Sequence, residues 1–379
     1  MTSHANDSTS EKLLRRTPLY DLHDSAGAKF APFAGYSMPV EYRKGLQHEH
    51  RQVRSKAGLF DVSHMGQIMI RGEHATEQME RLVPSEIVAL APFRQRYTVL
   101  TNEAGGIMDD IMITRLPNAL FVVVNAAFVS QDAAHLTAGL ATQDSVELLE
   151  DRALLALQGP KAVDCLAKFS PGISRLAFLE AGYFSLNEFD CLVHRCGYTG
   201  CDGFEISLAA KHAAQFASVL LEDNDVELAG LGARDSLRLE AGLCLAGSDF
   251  DARTTPVEAD LRWVVAPKYR RPPRLAAHFP GAEIILQQID GGVGRQRVGL
   301  ISSGRAPVRA GTTLRSDCVD IGRITSGSYS PSLGVPIAMG YVDQSHCALG
   351  AQVEVEIRGR KHELRVTELP FVPHTYYRP

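Results

Sequence analysis

Two adjacent carboxylates, Asp109 and Asp110, close the stretch TNEAGGIMDD at residues 101–110, directly ahead of the apolar run IMIT. The paired glycines Gly105 and Gly106 permit a tight turn with positive φ, so the chain can swing back and present the next residues at a strand mouth. Neighbouring side chains of an extended strand point to opposite faces. Only one of the two aspartates can therefore enter a pocket, and the other is expected to cap the turn or meet water. Two solvated turn aspartates would give the same text, because Asp is itself a turn residue. A further carboxylate, Glu205, follows the glycine-rich RCGYTGCDGFEI (195–206) and stands between apolar Phe204 and Ile206. It faces away from the apolar side, toward either solvent or a pocket. In GARDSLRLEAGL (232–243), Arg234, Leu237, Arg238 and Ala241 share one helical face. Guanidinium groups on an apolar stripe call for a carboxylate or an anionic ligand, and an internal salt bridge to Asp235, Glu240 or another domain would answer as well as a ligand.

Other chemistries find little support. The phosphate-cradling pattern G-x-x-x-x-G-K-[ST] and a dinucleotide G-x-G-x-x-G between strand and helix are both missing. His48 and His50 have no second ligand pair at zinc spacing, and Cys191, Cys196 and Cys201 are five apart, which sends successive strand side chains to opposite faces. No metal is expected. Ser63 and His64 are adjacent rather than converging, and no G-x-S-x-G occurs, which argues against a serine hydrolase.

The elements that must position these residues read as α+β. GLFDVSHMGQIMIRG gives a period-two strand over Gln67–Arg71, and HATEQMERLV places Met79, Leu82 and Val83 on one helical stripe. Residues 107–127 form a hairpin with its turn at Pro117 and Asn118. ALLALQG is a further strand, KAVDCLAKF a helix behind Pro160, and KHAAQFASVLLED another amphipathic helix. Past KYRRPP (268–273) nearly everything is strand-like, with glycine punctuation and no helix, so a C-terminal antiparallel β-barrel is expected from about residue 276, after a core over residues 1–275 made of two interleaved α+β subdomains.

Composition sets the class. The chain has 379 residues, 45% hydrophobic and 22% charged, with a net charge of −5 against 39 Lys+Arg. That is a folded multi-domain protein without the basic field of a nucleic-acid binder. Seven cysteines with no C-x-x-C pair suit a reducing compartment. The polar opening MTSHANDSTSEK lacks the character of a signal or transit peptide, and no run approaches the ~18 apolar residues of a membrane helix, so a cytoplasmic location is expected.

Taken in order, RRTPLYDLH, FAGYSMPV, GLFDVSHMG, TNEAGGIMDD, ALLALQGP, RCGYTG, ARDSLRLEAGLCL, TTPVEADLRW, TSGSYSPSLG, IAMGYV and PFVPHTYY resemble the aminomethyltransferase (T-protein) family of the glycine cleavage system, from about Leu13 to the C-terminus. The resemblance implies a three-domain fold with tetrahydrofolate as co-substrate in a central channel. It implies a partner, the lipoylated H-protein, which carries an aminomethyl group as a thioether. The implied products are 5,10-methylenetetrahydrofolate, ammonia and the dihydrolipoyl carrier. Asp110 matches the family's catalytic aspartate, suited to take a proton near N5/N10 and to stabilise positive charge as ammonia leaves. Glu205 matches the pterin anchor, whose two oxygens fit the paired donors of the pterin edge. Arg234 matches the arginine that supports the folate site, Asn125 and Met65 match positions that line it, and Tyr376 matches a tyrosine brought back by the C-terminal segment. Arg297 matches a functionally placed arginine. One departure is Cys201, where the family usually has an acidic residue after GYTG. Two other readings share the resemblance's fold or ligand: a folate-dependent demethylase of a small methylated substrate, and a non-catalytic folate-binding protein, which should lack the Asp110 counterpart.

Overall fold

A computed structural model of the chain describes residues 14–140, 144–302, 304 and 306–379. Two large sheets and a barrel organise it, beside a two-stranded ribbon of Lys29–Phe33 and Tyr36–Glu41. The first sheet has six strands in the order Ala181–Leu186, Phe189–His194, Gly203–Ala209, Arg152–Gln158, Ala57–Asp61 and Val226–Leu228. The second has five, in the order Gln95–Thr101, Ile107–Leu116, Ala119–Val124, Gly66–Arg71 and Ser145–Leu148.

Each sheet buries one face under helices. Leu155, Leu157, Phe204 and Ile206 of the first pack against Leu166, Phe216 and Leu220 of the helices Ala162–Ala167 and Ala213–Leu221. Ile68, Ile111, Ile113 and Val122 of the second pack against Met79 and Leu136 of the helices Ala75–Leu82 and Val129–Gly139. The opposite faces meet in a shared cluster of Phe60, Leu116, Phe121, Val123, Leu154, Ala156 and Leu192, closed by Ala233 and Leu237 of the helix Leu231–Glu240. Strands buried on both faces carry continuous apolar runs instead of alternation, which is why ALLALQ contains almost no polar residue.

The expected hairpin forms as Ile107–Leu116 and Ala119–Val124 around the two-residue turn Pro117-Asn118. Its register pairs Met112 with Val123, and the same register continued by two residues brings Asn125 opposite Asp110. Hairpin length thus sets a contact in the site. Ahead of it, the side chain of Asn102 accepts the N–H groups of Ala104 and Gly106 at 3.0 Å each, and Gly105 takes φ +78°. A Cβ on Gly106 would stand 1.9 Å from the carbonyl oxygen of Ala252, so this turn lies flat against the 241–260 segment only because the residue is glycine.

At the C-terminus, the strands Arg295–Ser302, Val335–Asp343, Val319–Ser330, Thr313–Ser316, Gln352–Ile357 and Arg360–Thr367 close into a six-stranded antiparallel barrel. The late region is not wholly strand, however: Ala282–Gly291 is a helix. Ile285 of this helix is buried in a cluster with Val99, Ile107 and Phe250 of the core, and Leu286 and Ile289 pack against it, a helical spacing bounded by Gly281 and Gly292 that an eye set on strands passes over.

Two buried ion-pair clusters dock the barrel. Glu240 accepts from Ser330 Oγ at 2.5 Å and from Ser332 Oγ at 2.7 Å on the barrel, and it meets Arg54 at 2.7 Å and His50 at 3.1 Å on the helix Leu46–Ser55. Arg238 donates to Asp249 at 2.7 Å and to Ser326 Oγ at 2.8 Å. Leu239, Ile337 and Met339 fill the apolar gap beside them. Among the described residues no helix is long and apolar enough to cross a membrane.

Candidate active site

Asp110 lies on the face of its strand that carries Met112 into the space between the sheets, while Asp109 faces the helix Val129–Gly139 with Ile111 and Ile113. The alternation is as expected, but the fate of Asp109 is not. It neither caps the turn nor meets water. It is fully buried and accepts from the Asn125 N–H at 3.1 Å and from Asn125 Nδ2 at 2.8 Å. The same Nδ2 reaches Asp110 Oδ1 at 2.6 Å and the Asp110 carbonyl at 3.1 Å. One amide therefore ties both aspartates to the end of the neighbouring strand.

Burial, with the charge of Asp109 added, pushes the Asp110 carboxyl up to about 7, against hydrogen bonds from Tyr97 and Asn125 that favour its ionised form. Tyr97 in turn is held well above the ordinary phenol value by burial and by the Asp110 charge. Tyr198 donates to the Cys244 carbonyl, and the Cys244 thiol, buried beside Arg297 and Asp249, is pushed up to about 12.

Glu205 takes the pocket side of the two alternatives, being 8% exposed. Its Oε2 accepts from the Cys196 thiol at 3.5 Å, and its Oε1 stands 3.8 Å from Arg234 Nη2, an ion pair too long to be a hydrogen bond. The Arg234 guanidinium sits over the rings of Tyr198, at 5.1 Å, and Phe60, at 5.9 Å, and its buried Nη1 has no partner. Tyr97, Asp110, Tyr198 and Arg234 are half-buried neighbours: Tyr198 lies under the Arg234 guanidinium and feels the Asp110 charge, as Tyr97 does. A half-satisfied carboxylate and an orphaned guanidinium nitrogen at one end suit a planar ligand with paired donors and an acceptor beside them. The Asp110 carboxylate waits at the other.

Met65 is half-buried at the edge of the cluster between the sheets, near Phe60 and Val62. Tyr376 stacks on Phe178 at 3.9 Å, in a C-terminal segment tied to the core by Thr375 N–H to the Gly200 carbonyl and Val372 N–H to the Glu240 carbonyl. Cys196 and Cys201 lie near its phenol, which places it beside the Glu205 end. Arg297 is not in this group: its guanidinium is spent on the carbonyls of Ala259, at 2.8 Å, and Gly242, at 3.1 Å, and on Met339 Sδ, where the barrel meets the core. Cys201 receives Arg54 at 3.1 Å, and Asp202 pairs with Arg195 at 2.6 Å, so neither adds charge to the Glu205 pocket.

Sequence reading did not single out Tyr97, Tyr198, Cys196, Cys244 or Asp132. Cys196 and Tyr198 lie inside the quoted RCGYTG and Cys244 inside ARDSLRLEAGLCL, where none was assigned to the site, whereas Tyr97 and Asp132 have no local pattern. Trp263, the only tryptophan, is 55% exposed and stacks on Tyr97 at 5.3 Å. Two clefts of about 300 and 270 Å³ lie near the 247–254 segment. Neither is lined by Glu205, Arg234 or Asp110.

The chain is similar to known proteins along nearly its whole length. The GCVT N-terminal domain matches residues 19–269, and the glycine cleavage T-protein C-terminal barrel domain matches residues 295–373. A probable mitochondrial aminomethyltransferase of Schizosaccharomyces pombe is 42% identical, with 96% of this chain and 95% of that one covered. The mitochondrial aminomethyltransferase of Homo sapiens is 43% identical, with 98% and 93% covered. The crystal structure of glycine cleavage system aminomethyltransferase T from Bartonella henselae superposes with a TM-score of 0.91 at 43% identity, over 96% of this chain and all of that one. The mitochondrial names of these curated relatives overturn the expected cytoplasmic location. The physical basis of that expectation was weak, because unpaired cysteines suit any reducing compartment, the mitochondrial matrix included. A matching core and barrel, in one fold and at this identity over nearly the whole chain, make the protein a member of the glycine cleavage T-protein family, that of the aminomethyltransferases.

Proposed function

We propose that this chain takes the one-carbon unit of the S-aminomethyl-dihydrolipoyl H-protein to tetrahydrofolate, releasing 5,10-methylenetetrahydrofolate, ammonia and the dihydrolipoyl H-protein. The single observation that carries the reading is the grouping of Glu205, Arg234 and Asp110 around Tyr198, whose ring lies under the Arg234 guanidinium that faces Glu205 and whose phenol feels the Asp110 charge. Tetrahydrofolate, when bound, supplies the nucleophilic nitrogens that receive the carbon. Glu205 accepts the paired donors of the pterin edge, a match for its two oxygens, each of which now has only a weak partner. The guanidinium of Arg234 faces that carboxylate at 3.8 Å and offers its free Nη1 to an acceptor on the ligand. Tyr376 and Met65 are assigned to the walls.

Asp110 is assigned the proton work. With its carboxyl poised at about 7, it takes a proton from the reacting nitrogen and returns it as the leaving group departs, the condition under which one carboxyl can serve as base and then acid. Asn125 and Tyr97 hold the carboxylate by its oxygens, so that little reorganisation accompanies the charge change. Arg297 is assigned a bracing role for the barrel, not ligand contact. The test is to supply aminomethylated H-protein and tetrahydrofolate and follow ammonia and methylenetetrahydrofolate together. Equimolar release is expected. Formation of 5-methyltetrahydrofolate from a methylated small molecule, with no ammonia from the aminomethylated carrier, would instead establish a demethylase.

A further inference from the structure

Behind the reacting face a second acidic group is buried. Asp132, in the first turn of the helix Val129–Gly139, is 0% exposed and lies in hydrogen-bonding contact with the carboxyl of Asp109. Neither of its oxygens meets a donor at full hydrogen-bond geometry, although the neighbouring Gln131 amide lies near enough to favour its ionised form. Asp109, by contrast, already accepts twice from Asn125. Two carboxyl groups in contact inside a protein cannot both ionise, so one proton must lie between them, held by the pair and not by either residue. A carboxyl bearing that proton is the donor this contact otherwise lacks. The pair then carries one negative charge, and the oriented carboxylate of Asp109 holds the Asn125 amide whose Nδ2 also grips Asp110 Oδ1 at 2.6 Å.

We propose that Asp132 is a positioning residue for Asp110: by holding a proton in common with Asp109 it fixes the Asn125 amide, and that amide orients the carboxylate of residue 110. The inference rests on the reading of Asp110 as the group that handles the proton. The geometry ranks the possible substitutions. Asp132→Asn replaces a shared proton by an amide N–H that still donates to Asp109, so the chain of contacts survives. Asp132→Ala leaves Asp109 without a donor on that side, and Asn125 is free to follow it.

Two readouts test this, and the first does not involve turnover. In an Asp110→Asn background, which silences the other titrating aspartate, infrared spectra at about pH 8 should show the C=O band of a protonated carboxylic acid. That band should vanish when Asp132→Asn is added, other protonated carboxyls cancelling in the difference. For turnover, kcat in otherwise native protein should fall at least about tenfold in Asp132→Ala, while Asp132→Asn stays within about threefold and the KM for tetrahydrofolate changes little in both. No protonated-acid band, or the same band with and without Asp132→Asn, would overturn the inference, as would equal kcat in the Asn and Ala variants. Should Asp132→Ala fail to fold, the infrared difference still decides. Undiminished turnover in Asp110→Asn would sink the assignment of Asp110 and leave the infrared result standing, so the two failures are distinguishable.

Discussion

At the scale of single residues, one carboxyl is raised by burial, that of Asp110, and another, that of Glu205, is left without firm partners. If Asp110 acts in its ionised form, kcat rises with pH through a limb near 7 and is flat above it, and the limb is lost in Asp110→Asn; a pH–rate series on both proteins checks this. Stability carries the opposite sign. The folded-state pKa of Asp110 lies above the unfolded value of about 3.9, so between about pH 4 and 7 the folded chain binds the extra proton and stability falls as pH rises. Asp110→Asn is therefore expected to be stabilising above about pH 7, by up to about 4 kcal/mol, and neutral below about pH 4, measured by denaturant unfolding at several pH values. A binding group paying in stability for its position is the ordinary condition of an active site. For Glu205, replacement by Gln keeps the size but turns one acceptor into a donor that faces the donors of the pterin edge. Folate affinity should drop by about 10- to 100-fold in a fluorescence titration, with the fold unchanged.

Elements set where these residues stand. Asn125 meets Asp110 because a two-residue turn fixes the hairpin register, and Glu240 meets the barrel because it ends the same helix that presents Arg234. Burial works against ionising Glu240, yet hydrogen bonds from His50, Ser330 and Ser332 hold its carboxyl well below the usual range. Its contribution to docking is thus present above the unfolded value of about 4.3 and is lost as pH falls below it. Glu240→Ala strands Arg54 and His50 in the interface and should cost about 3–5 kcal/mol in unfolding measurements, whereas Ser330→Ala should cost about 1. The C-terminal segment is the other tie. Its backbone bonds to Gly200, Glu240 and Phe178 lay Tyr376 against the core, so removing residues 371–379 should weaken folate binding more than Tyr376→Phe does, read in the same titration. Much at this scale was legible beforehand. The hairpin, the Glu205 strand and the arginine-bearing helix each declare themselves by period and by glycine placement. The Ala282–Gly291 helix was not, since its apolar spacing sits in a stretch otherwise read as strands, and its burial depends on a core face formed far earlier in the chain.

For the molecule as a whole, composition and motif order were enough for the α+β core and the closing barrel, because two-sided burial and antiparallel closure leave compositional traces. What they could not carry is convergence. Tyr97, Tyr198, Cys244 and Asp132 come from a strand, two loops and a helix, and only the packing of the two sheets and the 241–260 segment brings them around Asp110. Location was likewise out of reach, for reduced thiols look alike in cytosol and matrix. The lone tryptophan offers a whole-protein reporter of the site, since Trp263 stacks on the tyrosine that touches Asp110. The most direct measurement compares native protein with Asp110→Ala, following Trp263 emission as tetrahydrofolate is added and then ammonia release once aminomethylated H-protein is supplied. The account predicts that folate perturbs the emission of both proteins at similar concentrations, while ammonia release falls by at least about a hundredfold in the variant. Turnover by Asp110→Ala at the native rate would contradict it.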